Sequence, residues 1–188
     1  MNVSDSERVA TSLTAQGYEM TNDETLADVV LLNTCSVREK AENKLYSRIG
    51  RLSDARETAP LIGVLGCVAQ LEGETLFSKS RGVDFVIGTK AVGRVAEAIE
   101  KAWDGQKVVD LEDREFDYDW SVGKDQRRSP YVAFVPIIEG CNKFCTYCIV
   151  PFSRGREQSL TAAEIIRQVE KFRSEGVKEV HLIGQNVN

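Results

Sequence analysis

The stretch EGCNKFCTYCIVP, Glu139–Pro151, lies between two apolar segments with strand character and carries three of the chain's five cysteines. Cys141, Cys145 and Cys148 follow a C-x3-C-x2-C spacing. Three thiols cannot all pair into disulfides within the motif, and a structural zinc site closes its coordination with four ligands. The spacing therefore raises the question of which chemistry uses three thiolates.

Three interpretations of the cysteine triplet compete. Positions i, i+4 and i+7 share one face of a helix, and free cysteine is often buried; however, Gly140 and Pro151 bracket the triplet and indicate a loop. Zinc would need a fourth ligand, and the single histidine, His181, lies on a predicted strand where we interpret it as structural. An iron–sulfur cluster normally takes four cysteines. With three, one iron is left for a substrate or cofactor, and we favour this interpretation.

The residues around the triplet predict a single βαβ unit. Tyr131–Ile138 and Glu179–Ile183 are apolar strands, and Thr161–Ser174 between them is an amphipathic helix that ends before Gly176. Thr161 followed by Glu164 is the pattern of a capping box. A closed (β/α) barrel takes about 250 residues. We therefore expect the chain to hold only the opening of its second domain.

The first hundred residues alternate helix and strand patterns. Apolar strands that are each followed by a helix indicate a parallel sheet covered on both faces. The pattern opens on a helix, so we expect a first strand to be missing and the chain to begin part-way into its domain. The predicted helices are Val3–Ala15, Ser36–Leu52, Ala69–Lys79 and Val92–Trp103, and the predicted strands are Ala27–Leu32, Leu61–Leu65 and Asp84–Ile87.

These patterns predict an N-terminal α/β domain over 1–103, a linker over 104–130 and a second domain over 131–188. The linker sequence is acidic and rich in turn residues, and its charges are most simply a solvated face. Within it, the VVDL segment at 108–111 has the character of a short edge strand.

Composition narrows the functional classes. The 188 residues carry a net charge of -5, which does not indicate a nucleic-acid-binding surface, although a local basic patch could still bind nucleic acid. The sequence has no apolar run of the roughly 18 residues that a membrane helix needs and no secretory signal pattern at its start. Five cysteines, an odd number, do not indicate a disulfide framework. We therefore expect a cytoplasmic protein with no membrane partner that uses its cysteines for metal or catalysis.

The two remaining cysteines follow predicted strands. Cys35 comes at the end of the LLNT strand and Cys67 at the end of the GVLG strand. In a parallel sheet both would lie at the carboxyl rim, where ligands of open α/β folds bind. This placement favours a functional role over the alternative of two buried core cysteines.

The C-x3-C-x2-C spacing after the first strand of a βα unit resembles the signature of the radical S-adenosylmethionine (SAM) superfamily. Four stretches extend the match to the methylthiotransferases, and within them to the branch that acts on isopentenyladenosine beside the tRNA anticodon. The resemblance covers nearly the whole chain and implies a flavodoxin-like N-terminal domain followed by the first βαβ unit of a partial (β/α) barrel. The stretches are LLNTCSVREKAENK (Leu31–Lys44), GVLGCVAQ (Gly63–Gln70), EGCNKFCTYCIVPFSRGRE (Glu139–Glu157) and LIGQNVN (Leu182–Asn188).

The resemblance also implies roles for particular residues. The cysteine triplet would bind a [4Fe–4S] cluster whose open iron holds the amino and carboxylate groups of SAM, which is then cleaved to a radical that abstracts hydrogen. Other positions implied to contact SAM are Tyr147 near the adenine, Gly184, Gln185 and Asn186 near the amino group, and Arg154. Arg154 and its neighbour Arg156 could instead meet tRNA phosphate or simply be solvated. Relatives usually carry an arginine near Leu160, which this chain lacks.

A second [4Fe–4S] cluster is implied on Cys35, Cys67 and a third cysteine that normally lies just ahead of this chain's first residue. With two ligands that cluster would be labile. The implied reaction replaces the C2 hydrogen of the adenine ring with a methylthio group, with two SAM molecules, tRNA and an external electron donor such as a flavodoxin or ferredoxin. We expect this chain alone to be inactive. The alternatives are another tRNA base, a ribosomal-protein residue, or a non-catalytic iron–sulfur binding module.

Overall fold

The computed structural model describes residues 1–37, 39–54, 59–112 and 122–187, with Glu39 described only by its backbone. Its contacts divide the chain into two compact units, Leu13–Arg114 and a second unit formed by Met1–Ser12 with Glu115–Asn188. In chain order the elements are α1 (Asn2–Ala15), β1 (Val29–Asn33), α2 (Glu39–Asp54), β2 (Leu61–Leu65), α3 (Cys67–Glu72), α4 (Thr75–Lys79), β3 (Phe85–Ile87), α5 (Val95–Trp103), β4 (Val108–Asp110), β5 (Val132–Glu139), α6 (Val150–Arg154), β6 (Gln158–Ser159), α7 (Ala162–Ser174) and β7 (Glu179–Gly184).

The Leu13–Arg114 unit is built on a parallel four-stranded sheet in the order β1-β2-β3-β4. All three residues of β3 are buried, as are the last four of β2, which confirms the prediction of a parallel sheet with apolar strands. Side chains from α2, α3 and α4 complete the core, with Ile49, Val68 and Leu76 fully buried. Burial of each such side chain stabilises the fold by about 1.5–3 kcal/mol.

Three helices of this unit differ from the prediction. The helix expected over Ser36–Leu52 is α2 and begins at Glu39, because Ser36 and Val37 form a bend. The helix expected over Ala69–Lys79 is interrupted at Gly73, whose φ of 53° leaves the helical region, so α3 and α4 are separate. The helix expected over Val92–Trp103 opens with a 3-10 turn at Val92–Arg94 before α5 begins. The predicted edge strand is confirmed as β4, which pairs with β3 and belongs to this sheet although it falls within the predicted linker.

The second unit contains the predicted βαβ arrangement. Strand β5 pairs in parallel with β7, and α7 connects the two strands along the chain. The capping box at the start of α7 is confirmed in both directions between Thr161 and Glu164. The prediction missed β6, which pairs antiparallel with the end of β5 and gives the sheet order β6-β5-β7. It also missed the short helix α6.

The first residues of α1 belong to this second unit. Glu7 Oε1 accepts a hydrogen bond from the Arg128 backbone N–H at 2.9 Å, and Thr11 Oγ1 accepts one from the Gly123 N–H at 3.2 Å. The units thus differ from the predicted limits of 1–103, 104–130 and 131–188, because polar contacts of residues 1–12 join them to the later part of the chain. The domain limits themselves stay a prediction.

The predicted linker is only partly solvated. Arg127, in its last quarter, is buried and its guanidinium lies over the Phe172 ring at 5.2 Å from the centroid. Positions 113–121 of the predicted linker lie outside the described residues.

None of the helices in the described ranges combines the length and apolar character that a bilayer crossing requires.

Candidate functional site

The cysteine triplet lies on a loop that starts where β5 ends and finishes where β6 begins. We call Gly140–Glu157 the cysteine loop and its two ends the neck. Outside the neck, Glu139 of β5 is paired with Gln158 of β6. Inside it, the Cys141 N–H donates to the Gly155 carbonyl at 3.2 Å. The neck is therefore a short antiparallel ladder that β5 and β6 continue.

Gly140 allows the two ends of the cysteine loop to approach closely. Its φ is +77°, in the region that favours glycine, and a Cβ there would lie 2.2 Å from the Arg156 carbonyl oxygen and 2.6 Å from that of Gly155. The Gly140 N–H donates to Oε1 of Gln185 at 2.8 Å. The neck thus requires a glycine at position 140 and a hydrogen bond to the side-chain amide oxygen of Gln185, the residue that follows β7.

The three cysteines differ in exposure along the loop. Cys141 is buried, Cys145 is exposed and Cys148 is half-buried, and all three are free thiols. A turn connects the last two, with the Cys148 N–H donating to the Cys145 carbonyl at 2.9 Å. Because positions 141–148 form bends and turns with no helix, the alternative of three cysteines on one helix face is wrong. Phe144 between them has a φ of 44°, an uncommon value for a residue with a side chain.

The donor set of the cysteine loop fits an iron–sulfur cluster in its chemistry. Three free thiols within eight positions supply the ligand type that such clusters require. Over the ranges that the structure describes, no three histidine, cysteine, aspartate or glutamate side chains are already grouped to hold a metal ion. The loop therefore offers three ligands of the type that an iron–sulfur cluster requires.

His181 contacts two neighbouring side chains. Its Nε2 lies 2.5 Å from Glu179 Oε1, and its ring lies tilted by 43° against the Phe134 ring, with 5.4 Å between the centroids. The structural role of this exposed histidine stays a prediction.

A buried ion network flanks the neck of the cysteine loop. Arg154 is 3% exposed, and its Nη1 donates to Glu139 Oε1 at 2.8 Å while its Nη2 donates to Asp5 Oδ2 at 2.5 Å. Arg8 Nη1 lies 4.0 Å from Asp5 Oδ1. Two arginines and two carboxylates of the second unit are thus buried together, with Arg154 between the two carboxylates.

This network changes the interpretation of Arg154. The solvated alternative is wrong, because the guanidinium is buried and bonded to Asp5 and Glu139. A role in binding the SAM carboxylate stays a prediction, and both carboxylates already occupy the nitrogens that it would use. Burial raises the pKa of the Glu139 carboxyl, although the charge of Arg154 beside it acts in the opposite direction. Arg156, in contrast, is exposed.

The other residues predicted to contact SAM lie at the end of β7 and on the loop. Gly184 ends β7 close to β5, since a Cβ there would lie 2.8 Å from the Ile138 carbonyl oxygen. Asn186 Nδ2 donates to Glu157 Oε2 at 3.2 Å, so both Gln185 and Asn186 contact ends of the cysteine loop. Tyr147 is 94% exposed on the loop. Their role in cofactor binding stays a prediction.

Cys35 and Cys67 lie at the carboxyl end of neighbouring parallel strands, as predicted. Strands β1 and β2 are paired up to Asn33 and Leu65, and each cysteine follows its strand within two residues. Hydrogen bonding between the two segments continues beyond the strands, because the Val68 N–H donates to the Thr34 carbonyl at 3.3 Å. Cys67 is buried and Cys35 is half-buried, with its Sγ accepting from the Val37 N–H at 3.4 Å. The rim thus presents two thiols on adjacent strands.

Sequence reasoning missed Asp5, Arg8 and Glu139 as part of the site region. Glu139 carried a signal, since a carboxylate directly after an apolar strand requires a charged partner if it is buried. No local pattern could identify that partner, because Arg154 lies 15 positions away and Asp5 lies 149 positions from Arg154.

The two halves of the chain match different family models. Residues 1–88 match the family described as Uncharacterized protein family UPF0004, and residues 135–188 match the Radical SAM superfamily. The first match contains both rim cysteines, and the second contains the whole cysteine loop.

Similar proteins from three bacteria align along the entire chain. The proteins from Thermosipho melanesiensis and Fervidobacterium nodosum are each 47% identical to it, and that from Pseudothermotoga lettingae is 44% identical. All three carry the name tRNA-2-methylthio-N(6)-dimethylallyladenosine synthase. The chain spans 42–43% of the length of these relatives. With both family models matched and these relatives aligned throughout, the chain is similar over its whole length to tRNA methylthio-dimethylallyladenosine synthases, and its residues 135–188 match the Radical SAM superfamily.

Proposed function

We propose that this protein acts in tRNA modification and adds a methylthio group to C2 of isopentenyladenosine next to the anticodon. The observation that carries the proposal is the alignment of the full chain with relatives named for that synthesis, at 44–47% identity. The free thiols of the cysteine loop support it, because this chemistry needs a metal group with ligands of that type. The finer fold that goes with the proposal is a flavodoxin-like domain followed by the start of a partial barrel.

Cys141, Cys145 and Cys148 would hold a [4Fe–4S] cluster that leaves one iron open for SAM. When bound, this group supplies the one-electron cleavage of SAM that activates a C–H bond. The chain's own contribution is to present three thiols on one loop and to close the neck of that loop with Gly140. Tyr147, Gly184, Gln185 and Asn186 are the candidates for contacts with SAM, and Cys35 and Cys67 are candidate ligands of a second cluster.

The proposed partners follow from the same reaction. They are tRNA as the substrate and an external electron donor such as a flavodoxin or ferredoxin, in the cytoplasm. Exposed Lys143 and Arg156 on the cysteine loop could meet RNA phosphates, which basic side chains bind without reading sequence.

Anaerobic reconstitution with iron and sulfide tests the cluster and its open iron. We expect a reduced cluster whose electron paramagnetic resonance signal changes when SAM is added, because SAM would coordinate the free iron. The Cys145→Ala variant should lose this signal, whereas Cys67→Ala should keep it. A signal that does not respond to SAM would favour a non-catalytic iron–sulfur module.

The substrate is tested separately in cells. Mass spectrometry of digested tRNA from cells that lack the gene should show loss of 2-methylthio-isopentenyladenosine and accumulation of the unmodified isopentenyladenosine. Unchanged levels of the methylthiolated nucleoside would contradict the proposed substrate. Loss of a methylthio group from another tRNA base or from a ribosomal protein would identify the alternative substrate.

A further inference from the structure

The buried ion network occupies a specific place relative to the cysteine loop. Glu139 directly precedes Gly140, and Arg154 directly precedes Gly155, so the two charged residues flank the close approach of the two glycines. The Glu139–Arg154 pair therefore joins the strand that enters the loop to the end of helix α6, near the other end of the loop. The hydrogen bond from Cys141 to Gly155 lies next to this pair.

The network also includes the start of the first helix. Asp5 on α1 accepts a hydrogen bond from Nη2 of Arg154, and Asn2 Oδ1 lies 3.3 Å from the same Nη2. The side chains of Asp5, Glu139 and Arg154 are all at most 4% exposed. Charges buried to this degree are stable only when paired, so each member depends on the others.

We propose that Asp5, Glu139 and Arg154 are positioning residues that hold the neck of the cysteine loop closed and thereby keep Cys141 buried. Arg154 serves here as a bridge between two carboxylates. Its two Nη atoms each bond a different carboxylate, a geometry that a lysine with a single terminal nitrogen cannot reproduce. The inference concerns the folded loop in the absence of any metal group, and it goes beyond the proposed function.

The charge balance explains why the arrangement tolerates burial. Arg154 and Arg8 supply two positive charges, and Asp5 and Glu139 supply two negative charges. Removal of Asp5's charge takes one of the two named carboxylates from Arg154, and a lysine at position 154 lacks the second terminal nitrogen with which the guanidinium reaches both Asp5 and Glu139. In each case a buried charged group loses a partner, which is costly in a dry environment.

Thiol alkylation of the metal-free chain tests the inference directly. The chain is treated with iodoacetamide, and the rate for each cysteine is followed by peptide mass spectrometry. Exposed Cys145 reports the reactivity of an open thiol on the same loop, and buried Cys67 reports opening of the other unit. The test variants are Arg154→Lys and Asp5→Asn, and the matched control is Arg156→Lys at an exposed position two residues further on.

We expect Arg154→Lys to raise the alkylation rate of Cys141 relative to Cys145 by at least about tenfold, because loss of a charged hydrogen bond shifts local opening by that order. Asp5→Asn should have a smaller effect in the same direction and decides the matter if the arginine variant does not fold. In Arg156→Lys, the ratio of the Cys141 rate to the Cys145 rate should stay within twofold of its value in the unsubstituted chain.

Two results would overturn the inference. One is an unchanged Cys141 ratio in both test variants. The other is an equal acceleration of Cys141 and Cys67, which would mean that the network stabilises the chain as a whole and does not position the loop. Because no cluster, SAM or RNA is present, failure here would be distinct from failure of the proposed function.

Discussion

Cys67 and Cys141 each follow a glycine with positive φ, yet the two glycines have different surroundings. The nearest atom to a Cβ at Gly66 would be Oδ1 of Asn33, a side-chain atom at 2.3 Å. At Gly140 the nearest atoms would be backbone carbonyls of the opposite end of the loop, at 2.2 and 2.6 Å. A side chain can rotate away, whereas a backbone that belongs to a closed neck cannot move without opening it.

The wider settings of the two cysteines differ in the same way. Cys67 begins α3 directly after β2, where the neighbouring Leu65 and Val68 are buried apolar residues of the sheet unit. Cys141 follows a strand that ends in the buried carboxylate of Glu139. Apolar packing positions the first thiol, and hydrogen bonds with buried charges position the second. Apolar packing is non-directional and tolerates small shifts, whereas hydrogen bonds are lost when their geometry changes.

The largest loss of stability is expected for Gly140→Ala, which tests the comparison at the neck. The variant should destabilise the neck by about 2–5 kcal/mol, as the sum of an unfavourable left-handed backbone and a clash with backbone atoms. Hydrogen exchange of peptides covering 132–142 measures the free energy of local opening.

Gly176→Ala is the matched control for Gly140→Ala. Its φ is +87°, but no atom lies within 4 Å of the added Cβ, so only the backbone cost of about 1–2 kcal/mol remains. Equal effects of the two substitutions would show that the close approach at the neck contributes nothing.

A smaller effect is expected for Gly66→Ala at the rim of the parallel sheet. Its φ of 86° and ψ of -153° belong to a region that is used almost only by glycine, so alanine should cost about 1–3 kcal/mol. The Asn33 side chain can rotate to make room, and no backbone clash below 3 Å adds to this cost. Hydrogen exchange of peptides covering 61–68 is the measurement. A larger loss than for Gly140→Ala would reverse the comparison.

The same contrast explains what the sequence could predict. The strands LIGVL and DFVI were predictable because continuous apolar runs with turn residues between them are a local pattern. Leu61–Leu65 is found with the predicted bounds, and β3 starts one residue later than predicted, at Phe85. The placement of Cys35 and Cys67 at one rim followed from the parallel order alone.

Features that depend on long-range polar contacts could not be predicted. Arg154 is the last residue of the short helix α6 and has no local pattern that separates a buried arginine from a solvated one. Its burial results from Asp5 and Glu139, which approach it only when α1 and β5 are in place. Strand β6 has two residues, too few for a periodic signal, and it forms because the neck brings it beside β5. The assignment of residues 1–12 to the second unit has the same cause.

An intermediate effect is expected for Gln185→Leu, which removes the acceptor of the Gly140 N–H. The buried donor would then lack its partner, and this should destabilise the neck by about 1–2 kcal/mol. Gln185→Glu is the matched control, because a carboxylate keeps an oxygen that can accept the same hydrogen bond. Local hydrogen exchange at 132–142 separates the two variants. Equal losses in both would mean that the side chain's amide nitrogen, and not its oxygen, matters.

The smallest effect concerns how helices begin in the two units. The cap of α3 is Gly66 without a side-chain hydrogen bond, whereas α7 begins with the Thr161–Glu164 capping box. Thr161→Ala should therefore destabilise the first turn of α7 by about 1 kcal/mol. Hydrogen exchange of a peptide covering 162–168 gives the free energy of opening. An unchanged value would show that the box is redundant with packing of the helix.

The capping box also predicts a pH dependence. The hydrogen bonds from the Thr161 side chain and backbone hold the pKa of the Glu164 carboxyl below its ordinary value of 4.5. A carboxyl with a lowered pKa in the folded state contributes stability above its unfolded pKa, and this is lost as the pH falls through the folded pKa. The difference in opening free energy between the unsubstituted chain and Glu164→Gln should thus be full near pH 7 and decline below pH 4.5. A difference that grows on acidification would contradict the box, because protonation removes the charged acceptor on which it depends.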